Sequence, residues 1–437
     1  MAVQPHDTTP SNIGLLVREP KLWGILLVAF VLRLGVIAFY SDNLTDDRDA
    51  YLSLSQQLAE GNGFRVSADA PLTAYRPPLY PLILSVPLRV LPGWVSVAVV
   101  NLVCSLLIVS LVWILARESW NQLWSTLATG IVVCDPLLLI NATLPMTELL
   151  FTTLVLAVIV LSVRPRFTFT HRIALGILFG LAALCRPTIW AFGVIAGIVW
   201  CFRQWRESSG ATFLQDILKR ALPVAICTLL MVSPWVIRNY FVFDAFIPMT
   251  THGGYTLLLA NNEVFYEDVV ERGWRTTWSG ESLESWQHVL EDRMNDHTPA
   301  LTSEVARSQW MGDRARDTIR KHPRLFLKSC GVRFFRFWNP VPISTSSRPI
   351  PRIAQWGIGV FSTVLLLGVV ISLIVKKSRQ KLSSSFLVIS ASLLISLSLV
   401  HTVYWSNARM RAPIEPILAM LAVSSISKKS SVESKKE

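Results

Sequence analysis

The chain has 437 residues, of which 52% are hydrophobic and only 16% charged, and its formal net charge is +12 at pH 7. A soluble domain of this length carries more charge, and the mean hydropathy is +0.45, so the composition excludes an ordinary soluble globular protein. The basic residues stand in short clusters beside apolar stretches, a pattern typical of membrane topology determinants, so it does not indicate a nucleic-acid partner.

Apolar stretches long enough to cross a bilayer recur along the chain, for example Val95–Ala116 and Trp356–Val375. The sequence therefore predicts an all-α polytopic membrane protein with about ten transmembrane helices. The expected spans lie near 22–40, 94–116, 123–141, 147–163, 172–186, 187–202, 221–240, 354–375, 384–403 and 411–427. The apolar segment 79–91 is short and bounded by prolines, so we expect it to lie in the interface.

Basic residues beside the expected spans predict the orientation of the chain. With Arg18 and Lys21 in the cytoplasm, the clusters near 117, 164–172, 203–220 and 376–381 fall on the same side. Both termini are then cytoplasmic, and the segments 41–93 and 241–353 are extracytoplasmic. If 172–202 crossed once instead of twice, everything downstream would invert.

This topology divides the chain into three regions. An N-terminal membrane domain (1–240) includes the first outer loop (41–93). A large extracytoplasmic region (241–353) follows, with helices expected near 281–295 and 302–321. The arginine- and aromatic-rich segment 328–338 is expected to lie in the headgroup layer. The C-terminal region (354–437) contains the last transmembrane helices and a cytoplasmic tail.

Polar side chains from distant parts of the sequence fall at the predicted outer face. They are Asp46, Asp47, Arg76, Glu148, Arg186, Arg238, Asn261, Arg409 and Arg411. Random placement would divide them between the two faces, so their common location indicates a functional site at the extracytoplasmic end of the protein.

Each acidic candidate also has a structural interpretation. Asp46 and Asp47 open an expected helix that carries Tyr51, where a carboxylate is favoured by the helix dipole. The same position keeps a carboxylate ionised, as a general base requires. Glu148 begins a span and is typical of a helix cap, but a carboxylate at membrane depth is also a functional candidate.

The arginines have two interpretations as well. Most arginines at span ends extend to lipid phosphates, and Arg33 inside the first span is open to the same interpretation. However, Arg186, Arg238, Arg409 and Arg411 fall on the predicted outer side, where such residues are less common. Because guanidinium groups match the geometry of phosphate, these side chains are candidates for binding a phosphorylated lipid.

Ordered motifs along most of the chain resemble the C-type glycosyltransferases, and most closely glycosyltransferase family 39, the dolichyl-phosphate-mannose–protein mannosyltransferase-like proteins of bacteria. The motifs are Arg33-Leu34, Asp47-x-x-x-Tyr51, Tyr75-Arg-Pro-Pro-Leu-Tyr-Pro81, Thr147-Glu148, Arg186-Pro187, Pro234-Trp-Val-Ile-Arg-Asn-Tyr240, Leu259-Ala-Asn-Asn262 and Arg409-x-Arg-x-Pro413. The resemblance implies the C-type fold and transfer of a sugar from a polyprenyl-phosphate donor to a glycan, lipid or protein acceptor.

The resemblance also implies roles for individual residues. Asp47 matches the carboxylate that acts as catalytic base in this group, with Asp46 and Glu148 as further catalytic candidates. The family often has Asp-Glu where this chain has Asp47-Arg48, which leaves Asp46 or Asp49 as substitutes and weakens the case for a bound divalent cation (Mg or Mn). The donor phosphate is assigned to Arg76, Arg186, Arg238, Arg409 and Arg411, and the substrate to Tyr51, Tyr75 and Asn261.

Two other functions fit part of the pattern. A secondary transporter or lipid flippase places ionisable residues near the membrane midplane and often has repeated halves, whereas here the charges gather at one face and no repeat is evident. An oligosaccharide ligase or polymerase of related architecture differs only in its acceptor. The sequence favours a membrane glycosyltransferase over both.

Overall fold

The computed structural model describes residues 14, 17–164, 168–207, 210–272, 278, 281–341, 352–375, 378 and 380–427. Within these residues the chain is helical and contains no strand. The predicted all-α fold is confirmed.

The first half of the chain forms helices of very different length. They are α1 (Pro20–Phe39), α2 (Tyr51–Ala59), α3 (Leu79–Leu88), α4 (Gly93–Ser119), α5 (Gln122–Val133), α6 (Pro136–Asn141), α7 (Glu148–Ser162), α8 (Phe169–Cys185), α9 (Ile189–Glu207), α10 (Gly210–Asp216) and α11 (Leu222–Phe243). A 3-10 turn (Ser41–Thr45) precedes α2, and a π-helical turn (Ile217–Ala221) joins α10 to α11.

The described residues of the second half contain eight helices, which begin with two short ones. They are α12 (Gly253–Ala260), α13 (Glu263–Phe265), α14 (Glu281–Asn295), α15 (Glu304–Lys321), α16 (Pro323–Phe337), α17 (Arg352–Ile374), α18 (Ser384–Val403) and α19 (Glu415–Ile426). A π-helical turn (Tyr266–Glu271) follows α13, and a 3-10 segment (Ala408–Ile414) precedes α19.

Long apolar helices place the chain in a membrane. Among the described residues, five helices are long and apolar enough to cross one: Pro20–Phe39, Gly93–Ser119, Thr212–Phe243, Gln355–Ile374 and Ser384–Val403. Shorter apolar helices are Leu79–Leu88, Gln122–Val133, Glu148–Ser162 and Phe169–Cys185. The expected count of ten spans is therefore not confirmed.

The structure divides one expected span and confirms the expected division of another segment. The expected span 123–141 is not one continuous helix, because the helix stops at Val133 and restarts at Pro136. Proline has no N–H to continue the helix, and the Asp135 carboxylate caps the new start by accepting from the N–H of Leu138 (3.0 Å). The segment 172–202 forms two helices separated at Arg186, as the two-pass interpretation expects.

The segment 79–91 contains only the ten-residue helix α3. At 1.5 Å per residue this helix is about 15 Å long, roughly half the hydrocarbon thickness of a bilayer. The structure thus agrees with a segment that does not cross.

The region between α11 and α17 has small apolar clusters of its own. Leu258, Leu290 and Met311 pack together where α12, α14 and α15 meet. Helices α14 and α15 match the two expected near 281–295 and 302–321. In α16, however, Arg333 and Arg336 are buried, whereas the pattern suggested that they face lipid headgroups.

The hydrogen bonds of the Arg333 guanidinium account for the burial of Arg333. Its guanidinium donates to the carbonyl oxygens of Thr402 (2.7 Å) and Ala260 (2.5 Å), so it ties α12 and α16 to the end of α18.

The predicted cytoplasmic ends, 1–13 and 428–437, lie outside the described residues, as do Lys376, Lys377 and Arg379 of the last basic cluster.

Candidate active site

Three arginines and two carboxylates from four distant segments meet in one place. Arg76 donates from Nη2 to Asp49 Oδ1 (2.7 Å) and from Nε to the Asp49 carbonyl (2.9 Å). Arg409 reaches the other oxygen of Asp49, with 3.6 Å between Nη2 and Oδ2. Asp49 thus lies between two guanidinium groups.

Glu148 completes this guanidinium cluster, which we define as Arg76, Arg186, Arg409, Asp49 and Glu148. Its Oε1 lies 3.1 Å from Arg409 Nε and 3.7 Å from Arg186 Nη2. Three guanidinium groups face two carboxylates, so the cluster carries one excess positive charge. Both carboxylate oxygens of Glu148 are buried without a hydrogen bond of good geometry among the described residues, and so is Arg409 Nε. The cluster therefore retains hydrogen-bonding capacity for a ligand.

Local structure explains how these groups are presented. Arg76 precedes Pro77 and Pro78, which disfavour helical backbone at Arg76 and Pro77, so α3 begins only at Leu79. Glu148 is the first residue of α7, and Arg186 follows the last residue of α8, just before Pro187. Arg409 belongs to the 3-10 segment between α18 and α19. Each side chain thus lies at a helix end or in a connection.

The electrostatics of the cluster keep Asp49 ionised. Burial disfavours the charged form, but the positive charges of Arg76 and Arg409 outweigh it and lower the pKa of this carboxyl below its usual value. His252 contacts Arg76, with 3.0 Å between Nε2 and Nη1. Burial and the Arg76 charge lower the pKa of His252 to about 3, so the imidazole is neutral at pH 7. Because Arg76 can only donate, Nε2 accepts and the proton lies on Nδ1.

Aromatic rings surround Arg76. Its guanidinium carbon lies 5.6 Å from the centre of the Tyr51 ring and 5.1 Å from that of Tyr75. Tyr51 is buried edge-to-face against Tyr80, and burial raises the pKa of its hydroxyl to about 12. Tyr75 packs edge-to-face on His252, with 4.4 Å between ring centres. The predicted substrate-binding residues Tyr51 and Tyr75 therefore adjoin the cluster.

The other two acidic candidates lie outside the cluster. Asp47 accepts from the backbone N–H groups of Leu52 (2.8 Å) and Ser53 (2.7 Å) and from the Ser53 hydroxyl. It therefore caps helix α2, which begins at Tyr51, several residues later than expected. Asp46 forms an exposed ion pair with Arg48 (2.6 Å). The roles proposed for Asp46 and Asp47 stay predictions.

Two of the predicted phosphate-binding arginines also have partners outside the cluster. Arg238 donates to the Thr73 carbonyl (2.8 Å) and packs on the ring of Trp235 (4.9 Å). Arg411 is buried and donates from Nε to Glu415 (2.5 Å) and from Nη1 to the Phe337 carbonyl (3.2 Å). These contacts hold loops and helices together.

Asn261 has a structural environment as well. Its Nδ2 donates to the carbonyls of Leu257 (2.9 Å) and Val403 (3.3 Å), and its Oδ1 accepts from Tyr266 (3.2 Å) and Arg333 (3.4 Å). Asn261 is thus buried in the network that joins α12 to α18 and does not contact the guanidinium cluster.

Two further residues at the site, Glu304 and His252, are not predicted from the sequence. Glu304, in the first turn of α15, accepts from the Thr73 hydroxyl (2.6 Å), the Ala74 N–H (3.0 Å) and the Thr251 hydroxyl. It anchors the loop that carries Arg76 and the residue next to His252. Neither Glu304 nor His252 stands in a recognisable motif, because each is brought to the site only by tertiary packing.

The donor set does not fit a divalent cation. No group of three His, Cys, Asp or Glu side chains converges within the described part of the chain. Asp49 and Glu148 already face guanidinium groups, whose charge repels a metal ion. The predicted Mg or Mn cofactor stays a prediction, and no step below depends on it.

Comparison with known proteins identifies similar structures but no similar sequence family. No family model and no curated protein matches the chain. The apo oligosaccharyltransferase of Archaeoglobus fulgidus is 12% identical with a TM-score of 0.55, and the same enzyme, AglB, with an inhibitory peptide and a dolichol-phosphate is 12% identical with a TM-score of 0.50. Both matches cover 93% of this chain and 50% of that one.

The chain has the fold of the C-type glycosyltransferases. It spans about half the length of the oligosaccharyltransferase that it matches. ArnT from Cupriavidus metallidurans, solved bound to undecaprenyl phosphate, is 15% identical over 92% of this chain and 78% of ArnT, and its TM-score of 0.44 is too low to argue from. At such identities the likeness concerns the fold alone.

Proposed function

We propose that this protein is a membrane glycosyltransferase that moves a sugar from a polyprenyl-phosphate donor to an acceptor at the extracytoplasmic face. The observation that carries the proposal is the guanidinium cluster, with one excess positive charge and unused hydrogen-bonding atoms at the end of the membrane helices. A lipid-linked phosphate is an anion that reaches such a site from the bilayer.

The charge of the cluster suits the leaving group. A sugar phosphodiester carries one negative charge, which balances the excess charge of the cluster. When the sugar leaves, the polyprenyl phosphate becomes a monoester and gains negative charge, about −1.5 to −2 in total at pH 7 by analogy with phosphorylated side chains. We assign to Arg186 and Arg409 the stabilisation of that charge as it develops. An interaction that strengthens toward the transition state lowers the barrier to sugar transfer, whereas equal binding of ground state and transition state does not.

We assign the role of general base to Asp49, and not to Asp47. Asp49 lies between Arg76 and Arg409, next to the proposed phosphate site, and its lowered pKa keeps it ionised. The carboxylate of Asp47 is engaged by the N-terminus of α2. Asp49 would accept the proton of the acceptor as the sugar is transferred, while Arg76, which His252 contacts, holds the carboxylate in place.

The test compares two asparagine variants of purified protein with a panel of polyprenyl-phosphate sugars. Asp49→Asn removes the base and lowers transfer by about 10²–10⁴-fold, while donor binding persists because the arginines remain. Asp47→Asn, the matched control, acts mainly on the stability of α2. If Asp47→Asn abolishes transfer and Asp49→Asn does not, the base is Asp47. If no polyprenyl-phosphate sugar is consumed, the proposed activity is wrong.

A further inference from the structure

A groove of about 490 Å³ lies beside the guanidinium cluster, between helices α14 and α15. Its floor is apolar, formed by Leu290, Met294 and Met311, and its wall nearest the cluster contains Tyr75 and Tyr255. A pocket of this size with an apolar floor and a few polar groups has the usual character of a small-molecule or glycan site.

Helix α14 presents its polar face to this groove. Glu284, Gln287, His288 and Glu291 recur at spacings of three and four residues, so they share one side of the helix. Gln287 donates to the Tyr255 hydroxyl (2.7 Å). Among the described residues, Glu284 and Glu291 line the groove and form no ion pair, so their carboxylates are available to a ligand.

The groove adjoins the proposed catalytic groups directly. Tyr75 lines it and packs on His252, whose Nε2 contacts Arg76. Thr251 and Glu304 line it as well, and Glu304 anchors the loop before Arg76. A molecule in the groove is therefore separated from the guanidinium cluster only by the side chains of Tyr75 and His252.

We infer that this groove binds the acceptor, and that the acceptor is a glycan of neutral or amino sugars. This inference rests on the proposed function. Tyrosine rings offer an apolar face and a hydroxyl together, and carboxylate, amide and imidazole groups accept and donate hydrogen bonds to sugar hydroxyls. The lining residues Glu284, Glu291 and Glu304 outnumber the one arginine of the lining, Arg307, so the groove repels anionic acceptors such as uronic-acid or phosphorylated glycans.

A peptide acceptor fits the groove less well. An extended peptide is commonly bound by adding a strand to a sheet edge, and the described residues contain no strand. The groove is bounded by α14, α15 and the 73–76 loop, a compact space suited to a few sugar rings. Binding of a basic peptide in preference to a glycan would therefore contradict the inference.

The test uses calorimetric titration of the full-length protein with three probes: chitotetraose, tetragalacturonate and tetralysine. Wild type should bind chitotetraose more tightly than either of the others. The double variant Glu284→Lys/Glu291→Lys should weaken chitotetraose binding by about tenfold or more, as expected for lost hydrogen bonds to charged groups. It should also gain binding of tetragalacturonate.

The matched control is Glu281→Lys/Asp292→Lys, which makes the same charge change on α14 at two positions that do not line the groove. Equal effects of the two double variants, tight tetragalacturonate binding by wild type, or preferential tetralysine binding would each overturn the inference. Undecaprenyl phosphate is titrated into the same wild-type sample. Absence of glycan binding with intact binding of undecaprenyl phosphate refutes the groove alone, whereas absence of undecaprenyl phosphate binding refutes the proposed function.

Discussion

Replacing Glu148 with glutamine removes the negative charge that faces two guanidinium groups but keeps the size of the side chain. Glu148 is 1% exposed, and its partners Arg186 and Arg409 are 16% and 27% exposed. At these separations each ion pair amounts to about 5 kcal/mol at an effective dielectric constant of about 20. Desolvation offsets much of that attraction, so the net cost of losing the carboxylate is about 3 kcal/mol, the low end for a buried pair.

The same substitution changes the response to ligand. Without Glu148 the excess charge of the cluster rises from one to two, so a phosphate binds more tightly and stabilises the folded state more strongly. We therefore expect Glu148→Gln to unfold at a lower denaturant concentration than wild type. Addition of undecaprenyl phosphate should raise the stability of Glu148→Gln by more than it raises that of wild type.

The assay is denaturant unfolding in detergent, with and without the lipid phosphate. The control is Glu118→Gln, which breaks an ion pair of 3.3 Å with Arg164 at the far end of α4. Since Glu118 is more exposed, this control should cost little and should leave the effect of the lipid unchanged. A Glu148→Gln protein with wild-type stability and a wild-type response to the lipid would refute the charge balance described here.

Three further predictions concern neighbouring groups. Arg409→Gln removes a positive charge that lowers the pKa of Asp49. The acid limb of the pH–kcat profile, where Asp49 becomes protonated, should therefore move to higher pH, and an unmoved limb contradicts this prediction. Arg411→Met leaves Glu415 buried and unpaired, so this variant should lose about 3–5 kcal/mol of stability in denaturant unfolding. The double variant Arg411→Met/Glu415→Leu should recover most of that loss, and a double variant as unstable as the single one contradicts the prediction. Glu304→Ala removes three hydrogen bonds to the segments flanking the cluster, so amide exchange of residues 73–76 should accelerate; unchanged exchange there contradicts the anchoring role.

Much of the architecture was accessible from the sequence because hydropathy and helix length are local properties. The same is true of Arg76, Glu148, Arg186 and Arg409, which mark the ends of apolar segments and were expected at one face. The ion pairs among these residues place them at one end of the helices. Which compartment that end faces stays a prediction.

The exact identity of the site residues was not accessible, because it depends on backbone direction over one or two positions. Asp47 and Asp49 are two residues apart, yet the Asp47 carboxylate accepts from the first N–H groups of α2, whereas the Asp49 carboxylate pairs with Arg76. Arg409 and Arg411 share a motif, yet a 3-10 segment has three residues per turn and directs them to different sides. Such rotations leave no mark in composition or motif spacing.

The position of the donor phosphate tests the central claim most directly. A cryo-electron microscopy structure of the protein with a bound polyprenyl phosphate would show it without any assumption about sugar or acceptor. The account predicts phosphate oxygens within hydrogen-bonding distance of Arg186 and Arg409, with the chain leading into the lipid. A phosphate bound instead at Arg238 or Arg33, with the guanidinium cluster untouched, would contradict it.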